Sequence, residues 1–503
     1  MRPQIAPCIC GTPAVPGGRL HRSSLLVALL GAAWLLAAHA RDDLTPLLAA
    51  ARVGNHDAAI ALVRDGADVR AVEADGTSAL HWAADSGDAE LVRALLAAGA
   101  DVNAANRYGM TPLQAAAVEA DPAVVDALLA AGADARAVLP EGETVLMTAA
   151  RAGSAATLRL LLDRGAEVEA RDQYHGESAL IWAAAENHAD AIRMLAEHGA
   201  DVDGRSALME FETRRAGQSI LPLGSWTPLM YAARENALAA GEALVASGAS
   251  LDLADPDGAT ALVIAIINAH YEFAELLLRA GADPNVVDNE AGMSALYAAV
   301  DMHRLAVGHG RGNPVPVGLL DAVDAVRMLL EHGADPNALL EKPILQRQHT
   351  FGDGTLGAGA TPLMRAAKSG DIALVRMLLE AGADPKLTLP NGTTALMLAA
   401  GLGWRNGSPL APSYDQGSDA EAVETLELLL SLGLDLKAAN QAGDTALHAA
   451  VGGRGSEAIV RFLLERGADP NAANGRQQTP LSIAEARGSD AMKALVRAAA
   501  GVG

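Results

Sequence analysis

Few residues of this 503-residue chain have the types and spacing that chemistry needs. His303 and His309 lie six apart in one stretch with Arg304 and Arg311. Histidines are common metal ligands, but two at this spacing in a loop more often face solvent than bind metal. Asp255-Pro-Asp257-Gly258 opens like a calcium loop and lacks the glutamate that the twelfth position requires. Gly401-Leu402-Gly403-Trp404-Arg405-Asn406-Gly407 has the wrong spacing for a dinucleotide fingerprint, and it follows a helical pattern rather than a strand. Lys368-Ser369 lacks the glycines of a phosphate loop. Ser178, in Gly-Glu-Ser-Ala-Leu, reads as a helix cap and not as a nucleophile elbow. No HExxH helix occurs. The expectation is no catalytic residue, no metal site and no cofactor.

Cys8 and Cys10 are the two cysteines, and both precede the apolar run 25–38, LLVALLGAAWLLAA. That run suits a signal-peptide core and falls short of the roughly 20 residues a spanning helix needs. Ala38-His39-Ala40 is a small-x-small cleavage site, followed by Arg41-Asp42-Asp43. We expect residues 1–40 to be a signal peptide and the protein to be exported, to the periplasm or outside the cell. The alternative is an N-terminal anchor. Cleavage would remove both cysteines, and with them any disulfide, thiol nucleophile or zinc–thiolate site. Alanine and arginine richness points weakly to a high-GC bacterial source.

The net charge is −23, while residues 1–40 hold Arg2, Arg19 and Arg22 and no acid. This acidity disfavours nucleic acid and anionic membrane surfaces as partners. Half of the residues are apolar but only 3% are aromatic. Alanine and leucine fill the gap, as thin stacked helix pairs require.

One stretch, Ser78 to Met110, is copied through nearly everything after residue 44. Ser78 can cap a short helix, and sister copies use Thr-Pro, which suits the first turn. Leu80 points inward beside the small Ala83 and Ala84. Gly87 breaks the helix. A second helix carries Leu91, Val92, Leu95 and Leu96 on one face, and Gly99 ends it. The caps recur at Thr45, Ser78, Thr111, Thr144, Ser178, Thr227, Thr260, Ser294, Thr361, Thr394, Thr445 and Thr479, which open units 1 to 12. The dominant period is 33–34 residues.

The TPL…AA…LL…GAD pattern, repeated in register over residues 42–500, resembles the ankyrin repeat. The resemblance implies an all-α solenoid of about twelve helix-turn-helix units with short β-turn fingers. Units 1–5 occupy 41–203 and units 6–12 occupy 227–500. His81 and His448 match the family's structural histidine, which bonds within and between units. Trp82, Trp182 and Tyr231 share one position that elsewhere accepts Ala, Ile or Leu, so we read them as packing between units. Gly241 inside a second helix, with Ser250 in place of Asp, marks unit 6 as the softest link.

The spacing breaks at a finger insertion, 204–226, and at insertions near 301–318, 338–360 and 401–418. Two of these lie on the helix-turn edge, two units or about 20 Å apart, and two extend the fingers. They hold Phe211, Arg214, Arg215, Arg347, Phe351, Trp404, Arg405 and Tyr414, and the regular fingers add Tyr108 and Tyr174. Aromatic and arginine residues anchor interfaces. The expectation is a monomeric, non-enzymatic scaffold that binds a protein partner through its concave and finger face and its insertions. Alternatives are an enzyme or accessory subunit with a pocket under the insertions, or a membrane-tethered spacer. Mass spectrometry of the exported protein should find a mature N-terminus near Arg41; an intact residue 25–38 segment in the membrane fraction would select the anchor.

Overall fold

The computed structural model describes residues 44–209, 224–289, 291–304, 314–342, 355–404 and 417–501. Twelve helix pairs follow one another, from Pro46–Arg52 with His56–Arg64 to Pro480–Arg487 with Asp490–Ala500. The element that sets each pair is its cap. All twelve Ser or Thr residues named above sit in extended backbone, and each side chain accepts the N–H three residues on. One orphan donor per helix is thereby satisfied, a contribution of about 1 kcal/mol each.

Each first helix packs on the first helix of the next unit, and each second helix on the next second helix. Leu80, Ala83 and Ala84 of one unit and Leu113, Ala116 and Ala117 of the next are all buried. So are Leu91, Val92 and Leu95 with Val124, Val125 and Leu128. Each such leucine contributes about 1.5–3 kcal/mol on leaving water, and only a neighbouring unit provides the cover.

The fingers are tied in the same direction. Backbone N–H groups reach the preceding fingertip from Arg107 to Asp75 at 2.7 Å, from Asn289 to Asp257 at 2.9 Å and from Gln441 to Asn391 at 2.7 Å. An asparagine four residues after the unit's closing glycine adds a two-way clamp. Asn337 donates to the Gly382 carbonyl at 3.1 Å and accepts the Asp384 N–H at 2.7 Å. Asn103 and Asn285 do the same to their neighbours. Asp255 of the calcium-like tetrapeptide is a turn residue: its Oδ1 accepts the N–H of Asp257 and of Ala259.

The first insertion is a finger extension with a structured base. Leu208 and Gly224 form an isolated antiparallel bridge, and Ser206 exchanges two hydrogen bonds with Trp226. Arg205 Nη1 donates to the Ser225 and Ala254 carbonyls at 2.8 and 2.9 Å. Residues 204–209 and 224–226 therefore belong to the scaffold.

The two departures of unit 6 from the repeat each have a partner. A Cβ on Gly241 would lie 2.7 Å from the Phe273 ring, so the missing side chain is the space that Phe273 fills. Phe273 is fully buried. Ser250 replaces the usual aspartate and donates from both N–H and Oγ to the Asp203 carboxylate, at 2.9 and 2.6 Å.

The family histidine behaves as expected. The Ser78 N–H donates to His81 Nδ1 at 3.1 Å, which leaves the ring proton on Nε2, 3.0 Å from the Met110 carbonyl of the next finger. His448 repeats this with Thr445 and Gln478. Burial holds the His81 imidazole below its ordinary pKa.

Two outcomes follow. Gly241→Ala, which gains about 1 kcal/mol in an ordinary helix, should instead lower the melting temperature, and adding Phe273→Leu should recover it. The folded state keeps His81 neutral, so its contribution is complete above the unfolded pKa of about 6.5 and drains as the pH falls below it. His81→Gln copies unit 3, where Gln114 Oε1 accepts the Thr111 N–H at 3.0 Å. Its melting temperature should fall less steeply than wild type between pH 7 and 5.

Candidate functional site

The chemistry-bearing side chains gather on unit 9. Its first helix, Pro362–Lys368, places Arg365 and Lys368 four and seven residues after the cap. Sister units place Trp82 and Asp85, Trp182 and Ala185, or Tyr231 and Arg234 at those positions. These sister rings are half-buried, whereas Arg365 and Lys368 are only 1% and 2% exposed.

Arg365 Nε donates to Asp301 Oδ1 of unit 8, and its Nη1 donates to Ser369 Oγ. Asp371 caps the second helix, Ile372–Glu380, by accepting the Leu374 N–H at 3.3 Å. Its other oxygen meets His303 Nδ1 and lies 3.5 Å from Arg304 Nε. Burial pushes the Asp371 carboxyl up; the His303 hydrogen bond and the charges of His303 and Arg304 outweigh it and hold it below the usual range. Arg304 Nη2 continues to Glu421 Oε1 of unit 10, at 2.8 Å. The N–H of Ser418 bonds the Glu421 carboxylate and lowers its pKa, and Arg304 adds to that.

The described ends of three of the four insertions thus converge. Arg304 leaves unit 8 where its insertion starts, and Glu421 stands where the unit 10 insertion ends. The finger insertion after unit 8 returns with Leu356 buried and Thr355 against Gly403, so close that a Cβ there would collide with the threonine. The described roots of the two helix-edge insertions, expected about 20 Å apart, are joined across unit 9 by Arg304 and Glu421. Three cations, Arg304, Arg365 and Lys368, balance Asp301, Asp371 and Glu421. No group of three His, Cys, Asp or Glu side chains among the described residues could hold a metal ion.

Of the contact residues read from the sequence, Tyr108 and Tyr174 are 55% and 68% exposed on their fingers. The Arg107 guanidinium stacks 4.7 Å from the Tyr108 ring centre. Trp404, expected at the surface, is 7% exposed: its indole N–H donates to the Lys368 carbonyl at 3.1 Å and its ring lies beneath the Lys368 ammonium at 5.5 Å. Burying that ring covers the lysine. Phe211, Arg214, Arg215, Arg347, Phe351, Arg405 and Tyr414 lie outside the described residues, as do His309, Arg311 and residues 1–43.

The reading of Trp82 and Trp182 as packing missed their second face. Trp82 Nε1 donates to Glu73 at 2.8 Å and Arg52 of unit 1 stands 5.9 Å from its ring; Arg151 stands 4.9 Å from Trp182. Tyr231 donates its hydroxyl to Glu177 at 2.8 Å, and burial raises its pKa. The charged pair on unit 9 was also missed. Its signal was register: Arg365 occupies a position that is otherwise aromatic, aliphatic or small.

The family profile described as ankyrin repeats (3 copies) matches residues 22–106, 47–138, 113–206, 229–339, 322–406 and 417–502. The chain is 26% identical over 281 residues to the E3 ubiquitin-protein ligase KEG of Arabidopsis thaliana, covering 51% of this chain and 15% of that protein. It is 29% identical over 207 residues to the B-cell lymphoma 3 protein homolog of Mus musculus, covering 37% of this chain and 42% of that protein. The match thus spans less than half the length of either relative. The human ASB11 ankyrin repeat domain aligns with a TM-score of 0.40 and 28% identity, over 48% of this chain and 100% of that one. The Bcl-3 ankyrin repeat domain gives 0.37 and 28%, over 47% and 99%.

The unit 9 charges make a strong contrast testable. Asp301→Asn should cost about 3–5 kcal/mol in chemical denaturation, because it removes the negative charge that faces a buried guanidinium, whereas Asp301→Leu with Arg365→Met should be close to neutral.

Proposed function

Because the chain belongs to the ankyrin-repeat family, we propose that it is a non-enzymatic scaffold whose concave and finger face, with its insertions, binds a protein partner. Ankyrin repeats are protein-interaction modules. The observation that carries the reading is the exposed aromatic–arginine content of units 1–6. Tyr108 and Tyr174 project from fingers, and Trp82 and Trp182 lie half-open on the first helices with guanidinium groups over them. Rigid rings beside arginine are what interface anchors use. Residues 210–223, with Phe211, Arg214 and Arg215, are spliced into a finger on the same stretch. Arg347, Phe351, Arg405 and Tyr414, in the insertions that flank unit 9 in the sequence, complete the proposed contact set.

The competing reading, a catalytic pocket under the insertions, draws on His303 beside Asp371. Against it, both Asp371 oxygens are already engaged by the Leu374 N–H and by His303 and Arg304, and Glu421 closes its own helix cap. Groups so engaged hold a fold together more readily than they turn over a substrate. Export remains part of the proposal, on the strength of residues 25–40. None of the described helices is long and apolar enough to cross a membrane.

Deleting only 210–223, with Tyr108→Ala and Tyr174→Ala, should leave helicity and melting near wild type and reduce capture of the partner from periplasmic or secreted extract at least tenfold. Unchanged capture would refute the assignment of this surface.

A further inference from the structure

The face built by the first helices is closed over units 8–10, where Asp301, Arg365, Lys368 and Leu398 are all buried. It opens again beyond that point. Gly401 to Trp404 form the end of the closure, and on its far side lies a cleft of about 250 Å³ reaching units 11 and 12. The floor is nearly bare backbone. Unit 11 has a short first helix, Ala446–Ala449, that widens into a π-helical turn, Ala450–Arg454, carrying Gly452 and Gly453. π-turns of this kind recur at functional sites. Gly453 is bare because a Cβ would strike the Gly401 carbonyl of the wall. Gly452 is bare without such a need: a Cβ there would meet only an Ile483 methyl, at 3.6 Å, so its absence leaves room.

The polar groups around this space are unevenly committed. Asp444 accepts from Asn474 at 2.7 Å, and both nitrogens of His448 are engaged by Thr445 and Gln478. Arg476, on the last finger, and Arg487, at the end of the unit 12 first helix, are exposed into the same cleft. Among the described residues neither forms an ion pair, unlike Arg454, Arg466 and Arg497 nearby. Among the described residues lining the cleft, two guanidinium groups without an ion pair stand against one carboxylate, Asp444, a cationic spot on a chain of net charge −23. A planar fork of donors matches a carboxylate, two bonds at a time.

We propose that this cleft binds a carboxylate of an extended peptide, with Arg476 and Arg487 as the anion clamp, the Gly452 backbone as the floor and Gly401–Trp404 as an end stop. The acidic remainder of the chain repels polyanions, so the ligand carries one or two carboxylates rather than an acidic tract. The carboxylate comes from an aspartate or glutamate side chain or from a chain terminus; the chemistry is shared. The proposal rests on the reading of the chain as a protein-binding scaffold and gives it a second, separate contact.

Three ten-residue Gly/Ser peptides bearing an uncharged dye test it against the full chain by fluorescence anisotropy. One carries a single internal glutamate and an amidated end, one has no acid and a free terminal carboxylate, and one is neutral throughout. At least one of the first two should bind tenfold or more tighter than the third, and which one identifies the source. Arg476→Gln with Arg487→Gln should erase that preference. Gly452→Leu should block binding while circular dichroism and melting hold, because the new side chain enters open space. Equal binding of all three peptides, no binding up to millimolar concentration, or wild-type behaviour of these variants would overturn the site. None of these variants touches Tyr108, Tyr174 or 210–223, so failure here leaves partner capture by units 1–6 standing, and loss of that capture leaves this site standing.

Discussion

A pair of short helices, most of them seven to nine residues long, has two sides and no interior. Everything else in this molecule answers that constraint. The alanines at 83 and 84, 116 and 117, and 149 and 150 let successive first helices approach closely enough to supply one another with a buried face. The polar groups obey the same logic. The asparagine clamps, the fingertip amides and His81 each place one end in a unit and the other in its neighbour. A unit cut out of the stack would lose its apolar cover and strand these donors and acceptors at once.

What could be read from the sequence was what repeats. Twelve cap residues were legible because a hydroxyl before an apolar run acts within four residues of chain, and a period of 33–34 residues multiplies the signal. His81 and His448 were legible for the same reason. Residues whose meaning depends on a distant partner were not. Gly241 taken alone is a helix defect; beside Phe273 it is a socket, and 32 positions separate the two. The convergence of three insertions over unit 9 depends on how loops leave a scaffold, which spacing does not encode. Arg304 and Glu421 are 117 residues apart. Trp404 was misjudged as a surface anchor because a scarce aromatic in a loop suggests a contact, and nothing nearby in sequence shows Lys368 waiting to be covered.

Unit 9 also shows where the stack departs from a purely apolar economy. Burying Arg365 and Lys368 is expensive unless every charge finds its counterpart. The stack meets that demand at Arg365 with Asp301 of unit 8, while Asp371 of unit 9 and Glu421 of unit 10 hold Arg304 beside it. Such a network adds little stability compared with leucine and methionine in the same volume. It fixes geometry instead: a carboxylate accepts from a guanidinium fork in few orientations, so the roots of the insertions are held in register with the helices beneath. The scaffold thereby presents an open face over units 1–6, a sealed middle and a short open segment at the end.

The Arg304–Glu421 bond has a further consequence. In an array where each repeat touches only those beside it, a melting front moves one repeat at a time and can halt at any junction. A strap that passes over a repeat removes that freedom, because the bridged repeat cannot leave while its two flanks remain joined. Repeats eight and ten are therefore coupled directly across repeat nine, by the fraction of a kcal/mol up to about 1 kcal/mol that a partly exposed ion pair supplies. A melting front that arrives from the C-terminus meets there, among the described residues, its first bond between repeats that are not neighbours.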